Sequence, residues 1–249
     1  MTSYTKFAQY YDILTSNIDY KQHSQYYDSL IKRFRGKKGI LLDLACGTGS
    51  LSEEMAKLGY DVIGVDYSQD MLSVAIDKKV NSGLPIQYIC QDMCELDMYG
   101  TIDVTICALD SLNHLADIES VKRAIQHVSL FSEPEGLFIF DMNTLYKHQN
   151  ILANNTYVYD TEKVYCVWEN ELIEDSTVEI NLTFFEKKND VYKRYDEVFC
   201  ERAYSQQEID AILSDCGFEI LAHYDYFTNN EVKDDSERIT YVARKVKKI

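Results

Sequence analysis

Positive charge is scarce in this chain of 249 residues. Lysine and arginine together number 25, against 41 aspartates and glutamates, so the formal net charge is −16. A protein of this sign repels the phosphate backbone of DNA and RNA unless its basic side chains are strongly segregated. Nucleic acid is therefore not expected as a partner.

Long apolar runs and cysteine pairs are missing as well. No 18 consecutive residues are apolar, and the opening MTSYTKFAQYYDIL has no charged leader before an apolar segment. We therefore expect neither a membrane span nor an export signal, and we predict a cytoplasmic protein. The seven cysteines include no CxxC pair, and Cys90 and Cys107 lie in apolar runs. They are interpreted as buried free thiols in a reducing compartment.

The chain does contain a regular alternation of apolar runs and helical patterns. Apolar runs at 40–45, 61–65, 86–90, 102–108 and 137–141 alternate with helical patterns at 21–34, 50–58, 68–81 and 117–131. Short β-rich runs separated by helices are typical of an α/β fold, in which helices cover both faces of a parallel sheet.

Capping signals support several of these boundaries. Ser50 with Glu53 and Ser205 with Glu208 have the spacing of capping boxes, and Ser68 precedes its helix as an N-cap.

The pattern changes between residues 156 and 203. The segment VEINLTFF alternates with period two, and KKND at 187–190 supplies a turn, which indicates an antiparallel β insertion. We predict a core unit of residues 1–155 and 204–249 that is interrupted by this insertion at 156–203. Near the end, GFEILAHY and RITYVARKV follow one another without a helix, so they are expected to pair antiparallel.

Two glycines mark the turn after the first predicted strand, in LLDLACGTG at 41–49. A strand that enters a helix through such a turn directs backbone N–H groups and the positive helix end at an anion. Dinucleotide-binding proteins use the same arrangement, but Ser52 stands where their third glycine falls. A smaller anion, such as an amino-acid carboxylate, is therefore favoured. The alternative is a tight turn that binds nothing.

Acidic residues end the next two strands. Asp66 closes VIGVD, where a carboxylate accepts hydrogen bonds from both hydroxyls of a ribose. Asp92 closes IQYICQD, and together with the N–H of Met93 it matches the hydrogen-bonding edge of an adenine. Each acid alone is also consistent with a helix cap or a solvated strand end.

These motifs resemble the class I S-adenosylmethionine-dependent methyltransferases. The resemblance lies in LLDLACGTG, GVDYS, QDM, DVTICALDSLNHL and GLFIFDMNT and covers about residues 37–145 and 203–247. It implies a Rossmann-like, mostly parallel sheet of seven strands with a C-terminal antiparallel hairpin. It also implies S-adenosylmethionine as cofactor, with S-adenosylhomocysteine as product, and no metal.

The resemblance also implies a set of cofactor-binding residues. The turn at Gly47 and Gly49 would contact the methionine part, Asp66 the ribose, Asp92 and Met93 the adenine, and Leu109 the cofactor from below. The complete expected set is Tyr11, Tyr20, Asp43, Ala45, Cys46, Gly47, Gly49, Asp66, Tyr67, Asp92, Met93 and Leu109. The N-terminal FAQYYDIL and the insertion are similar to the small-molecule branch that includes amino-sugar N-methylating enzymes, where Tyr11 would reach the active site.

His114 is the candidate general base. It follows the fourth strand, where the fold places acceptor-side groups, and histidine ordinarily titrates near a pKa of about 6.5. The alternative is that His114 only orders the loop before Asp117 caps the next helix. Tyr11 and Tyr20 are weaker candidates for contact with the acceptor, and Tyr10 and Tyr11 also suit a purely structural role.

Two nucleic-acid chemistries lack their motifs. The segment after the fourth strand is Ala108-Leu109-Asp110-Ser111 rather than the [DN]-P-P-[YFW] loop of exocyclic-amine methylation. Pro85 and Pro134, the only prolines, are not followed by the cysteine that cytosine C5 methylation needs. The expected reaction is methyl transfer to N or O of a small molecule.

Two other functions are also consistent with this sequence. An NAD-dependent oxidoreductase shares the glycine turn and the ribose acid, and a non-catalytic module would bind the cofactor without turnover. The aromatic residues of the insertion are consistent with a roof over a small-molecule pocket, a homodimer surface, or the apolar face of their own sheet; they are Trp168, Phe184, Phe185, Tyr192, Tyr195 and Phe199.

Overall fold

The computed structural model describes the backbone of residues 5–246 and the side chains of residues 7–246, so both ends of the predicted core unit lie outside the described residues. The elements before the insertion are α1 (Thr5–Leu14), α2 (Tyr20–Phe34), β1 (Ile40–Leu44), α3 (Ser50–Lys57), β2 (Asp61–Asp66), α4 (Gln69–Ser82), β3 (Gln87–Cys90), β4 (Ile102–Cys107), α5 (Ile118–Phe131) and β5 (Ser132–Asn143). The predicted bounds agree within one residue except for β5. That strand begins earlier because Ser132 pairs with Ile102 ahead of a register shift.

Seven strands form the central sheet, in the order β10-β11-β5-β4-β1-β2-β3, with β10 at Phe218–Asp225 and β11 at Arg238–Lys245. The first five strands run parallel. Strand β11 is antiparallel to both β5 and β10, which confirms the predicted terminal hairpin. Because β1 lies between β2 and β4, the winding reverses at β1, and sheets of this type bind ligands beyond the carboxyl ends at that point.

The insertion forms a second, antiparallel sheet of four strands, β6 (Thr156–Asp160), β7 (Val164–Glu174), β8 (Thr177–Lys188) and β9 (Val191–Arg202). Its buried face includes Val178, Ile180 and Phe184, and it packs against Phe7 and Tyr10 of α1. Helix α6 (Gln206–Asp215) then returns the chain to the central sheet. The fold is therefore the predicted Rossmann-like core with an antiparallel insertion.

Most of the capping predictions are confirmed. The Ser68 hydroxyl accepts the Met71 N–H at 3.3 Å, and Ser205 with Glu208 makes both bonds of a capping box. The box predicted at Ser50 is wrong. Gly49 is the N-cap residue, and the Ser50 hydroxyl donates to Asp12 at 3.2 Å instead.

Burial of the cysteines is confirmed for Cys46, Cys107, Cys166 and Cys216. It is wrong for Cys90, which is exposed because β3 is an edge strand, and for Cys200, on the edge strand β9 of the second sheet. Among residues 5–246, no helix combines the length and apolar character that crossing a membrane requires.

Candidate active site

The turn between β1 and α3 is built from left-handed backbone. Ala45, Gly47 and Gly49 all have positive φ, at 59°, 54° and 73°. A Cβ added at Gly47 would meet no atom within 4 Å, whereas one at Gly49 would stand 2.3 Å from the Tyr88 hydroxyl oxygen. Gly47 therefore leaves room above the strand end, and Gly49 leaves room for packing in the core.

Asp66 at the end of β2 holds this turn in place. Its Oδ2 accepts the Gly47 N–H and its Oδ1 accepts the Ser68 N–H, both at 2.8 Å. A carboxylate offers about four lone-pair sites, so about two remain for a ligand. Burial raises the pKa of Asp66, and the two N–H donors oppose that shift.

Asp43 is the buried acid of LLDLACGTG. Its side chain is enclosed beside the turn and accepts a hydrogen bond from Ser52 Oγ at 2.5 Å. Burial raises the pKa of Asp43 to about 7, although the Ser52 bond partly opposes the shift. Ser52, which replaces the third glycine of the dinucleotide motif, thus serves as the partner of this acid.

A crevice of about 310 Å³ lies above the carboxyl ends of β1, β2 and β3. Its wall contains Tyr11, Ala45, Gly47, Asp66, Tyr67, Asp92, Met93, Leu109 and His114. A small extension of about 40 Å³ shares Tyr11, Ala45, Gly47 and Leu109 and adds Tyr20, Asp43 and Cys46. The structure therefore brings together every expected cofactor residue except Gly49, which lines neither space.

Asp92 also caps the chain locally, because its Oδ1 accepts the Cys94 N–H at 2.8 Å. Asp92 is thus the helix cap that the sequence allowed, and the same side chain also lines the crevice.

The loop after β4 is strained and is held by a buried acid. Leu109 and Asp110 are consecutive non-glycine residues in the left-handed region, at φ 57° and 53°. Their N–H groups donate to the two carboxylate oxygens of Asp141, each at 2.9 Å. Tyr27 Oη and Arg238 Nη1 also bind Asp141, at 2.9 and 3.1 Å. Such backbone persists only where its surroundings fix it, and it is concentrated at functional sites.

A second cavity, of about 800 Å³, adjoins the crevice on the side of the insertion. Phe7, Tyr11, Leu109 and His114 line both spaces. Trp168 and Phe199 of the insertion line the larger cavity, whereas Phe184 is buried against α1 and Tyr192 is exposed. Two of the aromatic residues expected over the pocket, Trp168 and Phe199, therefore line the cavity. Phe184 packs between the insertion and α1, and Tyr192 lies on the surface of the insertion.

His114 stands at the junction of the two spaces. Its Nε2 is 3.7 Å from Glu201 Oε1, within ion-pair range, and its ring lies 5.3 Å from the ring of Phe199. The loop is ordered by its neighbour Asn113, whose side chain is fully buried and bonds the backbone of Asn143 and Arg202. Asn113 therefore contributes to the ordering of this loop.

Tyr11 of α1 and Tyr20, the first residue of α2, are half-buried and line the small extension together. Burial raises the pKa of both phenols above the ordinary value, and the two hydroxyls interact with each other. Phenols with raised pKa values stay protonated at neutral pH. Tyr11 is therefore suited to donate a hydrogen bond and unsuited to accept a proton.

Several residues of the larger cavity were not anticipated from the sequence: Phe7, Asp110, Asn143, Lys147, Glu201 and Arg238. Arg238 Nη2 pairs with Asp110 at 2.9 Å, and the Asn143 amide bonds Asp110, Glu201, Lys147 and Arg238. The sequence did contain one indication of this network. Asp141, which binds Arg238, follows the buried run LFIF in the same way that Asp66 follows VIGV.

Known proteins match this chain over its whole length. The family model "Methyltransferase domain" matches residues 41–136. A crystal structure of an S-adenosylmethionine-dependent methyltransferase from Clostridium acetobutylicum is 36% identical, with 98% of this chain and 99% of that chain covered and a TM-score of 0.89. YqeM of Bacillus subtilis, whose name places it among methyltransferases, is 33% identical over 99% of this chain and 98% of its own.

A more distant structure shares the fold alone. The sugar N-methyltransferase KedS8 from a Streptoalloteichus species is 19% identical, covers 95% of this chain and 93% of its own, and has a TM-score of 0.80.

The seven-stranded Rossmann-like sheet matches the fold of solved methyltransferases, and the relatives matched over the full length are methyltransferases by name. The chain belongs to the S-adenosylmethionine-dependent methyltransferases, and its cofactor is S-adenosylmethionine. The two alternatives considered from the sequence, an NAD-dependent oxidoreductase and a non-catalytic module, are therefore wrong.

Proposed function

We propose that this enzyme transfers the methyl group to a nitrogen or oxygen atom of a small polar molecule bound in the larger cavity. The observation that carries the proposal is the wall shared by the two spaces, formed by Phe7, Tyr11, Leu109 and His114. A methyl donor in the crevice and an acceptor in the cavity would meet at this wall. Cavities of several hundred Å³ are of the size that small-molecule sites have.

The crevice fits the parts of the cofactor. The open space at Gly47 admits close approach of a ligand to the backbone. We assign the two remaining lone-pair sites of Asp66 to the ribose hydroxyls, and Asp92 with Met93 to the adenine edge. Asp43, in the extension of the crevice, would face the amino group of the methionine part. When bound, S-adenosylmethionine would supply a methyl group on a sulfonium: the lone pair of the acceptor N or O would attack the methyl carbon in line, the C–S bond would break, and S-adenosylhomocysteine would leave as a neutral thioether.

The protein's contribution is then alignment and proton removal. Positioning of two reactants can lower a barrier by about 7–11 kcal/mol. Leu109, fixed by Asp141, and Tyr11 of α1, whose hydroxyl interacts with that of Tyr20, would set the position of the donor. Because His114 Nε2 lies 3.7 Å from Glu201 Oε1, we assign the proton-accepting role to Nδ1, which would take the acceptor's proton. The Glu201 carboxylate would balance the charge that the imidazole gains.

A labelled-methyl experiment tests the proposal. The enzyme is incubated with S-adenosylmethionine carrying a ¹³C methyl group and a small-molecule extract of bacterial cells, and the mixture is searched by mass spectrometry for a labelled product. We expect a product with the wild type and at least tenfold less with His114→Ala, while binding of S-adenosylhomocysteine is retained.

His127→Ala is the matched control, because His127 bonds Leu96 O and lines neither cavity. Label in protein or nucleic acid alone, or equal product from the His114 variant, would contradict the proposal.

A further inference from the structure

Lys147 is a lysine of the larger cavity that has no ion-pair partner within residues 7–246. It lies at the start of a short π-helical segment, Lys147–Leu152, that follows β5. Its Nζ donates to Asn143 Oδ1 at 3.0 Å, and among the described residues no carboxylate oxygen lies within 4.0 Å of it. π-Helical turns are rare and occur frequently at functional sites.

The surroundings of Lys147 disfavour its charge. Burial, followed by the nearby Arg238 guanidinium, lowers the pKa of Lys147, and the more distant Asp110, Glu201 and Glu237 oppose the shift. Arg238 Nε donates to the same Asn143 oxygen, at 3.0 Å, so two cations share one neutral acceptor. Arg238 has Asp110 and Asp141 as counterions, whereas Lys147 has none in contact. A desolvated cation without a partner costs stability unless a ligand compensates it.

We propose that Lys147 binds an anionic group of the methyl acceptor, either a carboxylate or a phosphate. This inference rests on the proposed function, because it assigns the larger cavity to the acceptor. The Asn143 amide also donates through Nδ2 to Glu201 Oε2 at 3.3 Å, and Glu201 is the neighbour of His114. The anion site and the proton-accepting site thus flank a single amide. The acceptor would then be an organic acid or phosphate ester whose charge lies at Lys147 while its nucleophilic N or O lies at His114.

Lysine labelling tests the anion site without knowledge of the acceptor. The enzyme is saturated with S-adenosylhomocysteine and treated with a trace of succinimidyl propionate, and the modified fraction of each lysine is measured by peptide mass spectrometry. The reaction is run in sodium acetate, sodium phosphate and sodium chloride at equal ionic strength. We expect acetate or phosphate to slow the labelling of Lys147 at least threefold relative to chloride, and the protecting anion distinguishes a carboxylate site from a phosphate site.

Lys233 is the internal control, because it lines the rim of the same cavity and is exposed. Its labelling should be the same in all three salts. Equal rates at Lys147 in the three salts, or equal protection of both lysines, would overturn the inference.

The labelled product gives a second, independent test. If the product of the ¹³C-methyl experiment carries no carboxylate or phosphate, the inference is wrong while the proposed function stands. If it carries one, we expect Lys147→Met to raise KM for the acceptor at least tenfold with little change in kcat. Lys147→Arg should restore most of the affinity. Lys57→Met, at the exposed end of α3 and outside both cavities, should leave KM unchanged. A Lys147→Met enzyme with normal KM would contradict the assignment.

Discussion

Asp66 has two tasks that a single carboxylate divides between its oxygens. Two lone-pair sites hold the turn through Gly47 and Ser68, and the others remain open to the crevice. Substitution at this position therefore loosens the turn and, if the ribose assignment holds, would also remove contacts to the cofactor.

We predict that Asp66→Ala weakens S-adenosylmethionine binding by about 1–3 kcal/mol, because charge-assisted hydrogen bonds to the ribose are lost. Isothermal titration calorimetry at pH 8 measures the effect. Asp61→Ala, at the exposed start of the same strand, is the control and should bind normally. An unchanged affinity of the Asp66 variant would refute the ribose assignment.

Asp43 makes stability depend on pH. Its pKa of about 7 in the folded protein exceeds the value near 3.9 of an unfolded aspartate. The folded state therefore binds the proton more tightly, and Asp43 favours folding at low pH. That contribution falls as the pH rises from about 4 through about 7.

We predict that Asp43→Asn stabilises the cofactor-free protein at pH 8 and has little effect at pH 4. The amide oxygen still accepts the Ser52 hydrogen bond but carries no charge, so the gain at pH 8 is on the order of 2–4 kcal/mol. Urea unfolding of both proteins at the two pH values checks this. A difference that is the same at pH 4 and pH 8 would show that Asp43 does not titrate in this range.

At the scale of elements, helix α1 links the glycine turn to the insertion. The Asp12 carboxylate accepts from Thr48 Oγ1 at 2.6 Å and pairs with Lys78 Nζ at 2.5 Å. At the other side, Tyr10 Oη donates to Glu186 Oε1 of β8 at 2.6 Å. Because Phe7 and Tyr11 of the same helix line both cavities, α1 covers the junction where transfer is proposed.

We predict that Asp12→Asn loosens this cover. Loss of the partly exposed ion pair between Asp12 and Lys78 should destabilise the packed position of α1 by about 1 kcal/mol. This corresponds to roughly fivefold faster amide exchange in α1, and we also expect faster release of S-adenosylhomocysteine. Hydrogen exchange with mass spectrometry and stopped-flow dissociation measure the two rates. Asp77→Asn on the exposed side of α4 is the control, and equal rates in the two variants would contradict the role of Asp12.

The parallel core could be predicted from the sequence because each element carries its own local signal. Asp66 ends β2 as predicted, whereas β3 ends at Cys90, two residues before Asp92. Both acids still line the crevice, because the carboxyl ends of parallel strands share one edge of a sheet. The box at Ser50 was misassigned because spacing alone does not reveal that Gly49 adopts a left-handed backbone and that Asp12 competes for the hydroxyl.

The acceptor side could not be predicted in the same way. Asn143, Glu201 and Arg238 belong to three strands that are remote in sequence. Arg238 meets Asn143 only through the register of β11 on β5, and Glu201 arrives with the end of β9. No local pattern encodes such pairings, because they depend on how the insertion and the final hairpin fold onto the core.

At the scale of the whole molecule, the two sheets and α1 leave a polar space between them that a bound cofactor would partly fill. The crevice is walled by Asp66 and Asp92 as well as by apolar residues, and Asp43 lines its extension. Burial, together with the neighbouring Asp66 carboxylate, raises the pKa of Asp43, so the charged form of this acid is disfavoured. Ligand binding should therefore stabilise the whole fold as well as the glycine turn.

Thermal unfolding with candidate ligands gives the corresponding prediction. A ligand present at 100 times its Kd, bound only by the folded state, adds about 2.7 kcal/mol of stability. For a domain of this size, that corresponds to a rise in Tm of roughly 5–11 °C. We expect S-adenosylmethionine and S-adenosylhomocysteine to raise Tm in this range at saturating concentrations and NAD to leave it unchanged. Asp66→Ala should reduce the shift in proportion to its lost affinity, because both arise from the same contacts. A wild-type protein that responds to NAD and not to S-adenosylhomocysteine would mean that the crevice above β1, β2 and β3 is not the cofactor site assigned here.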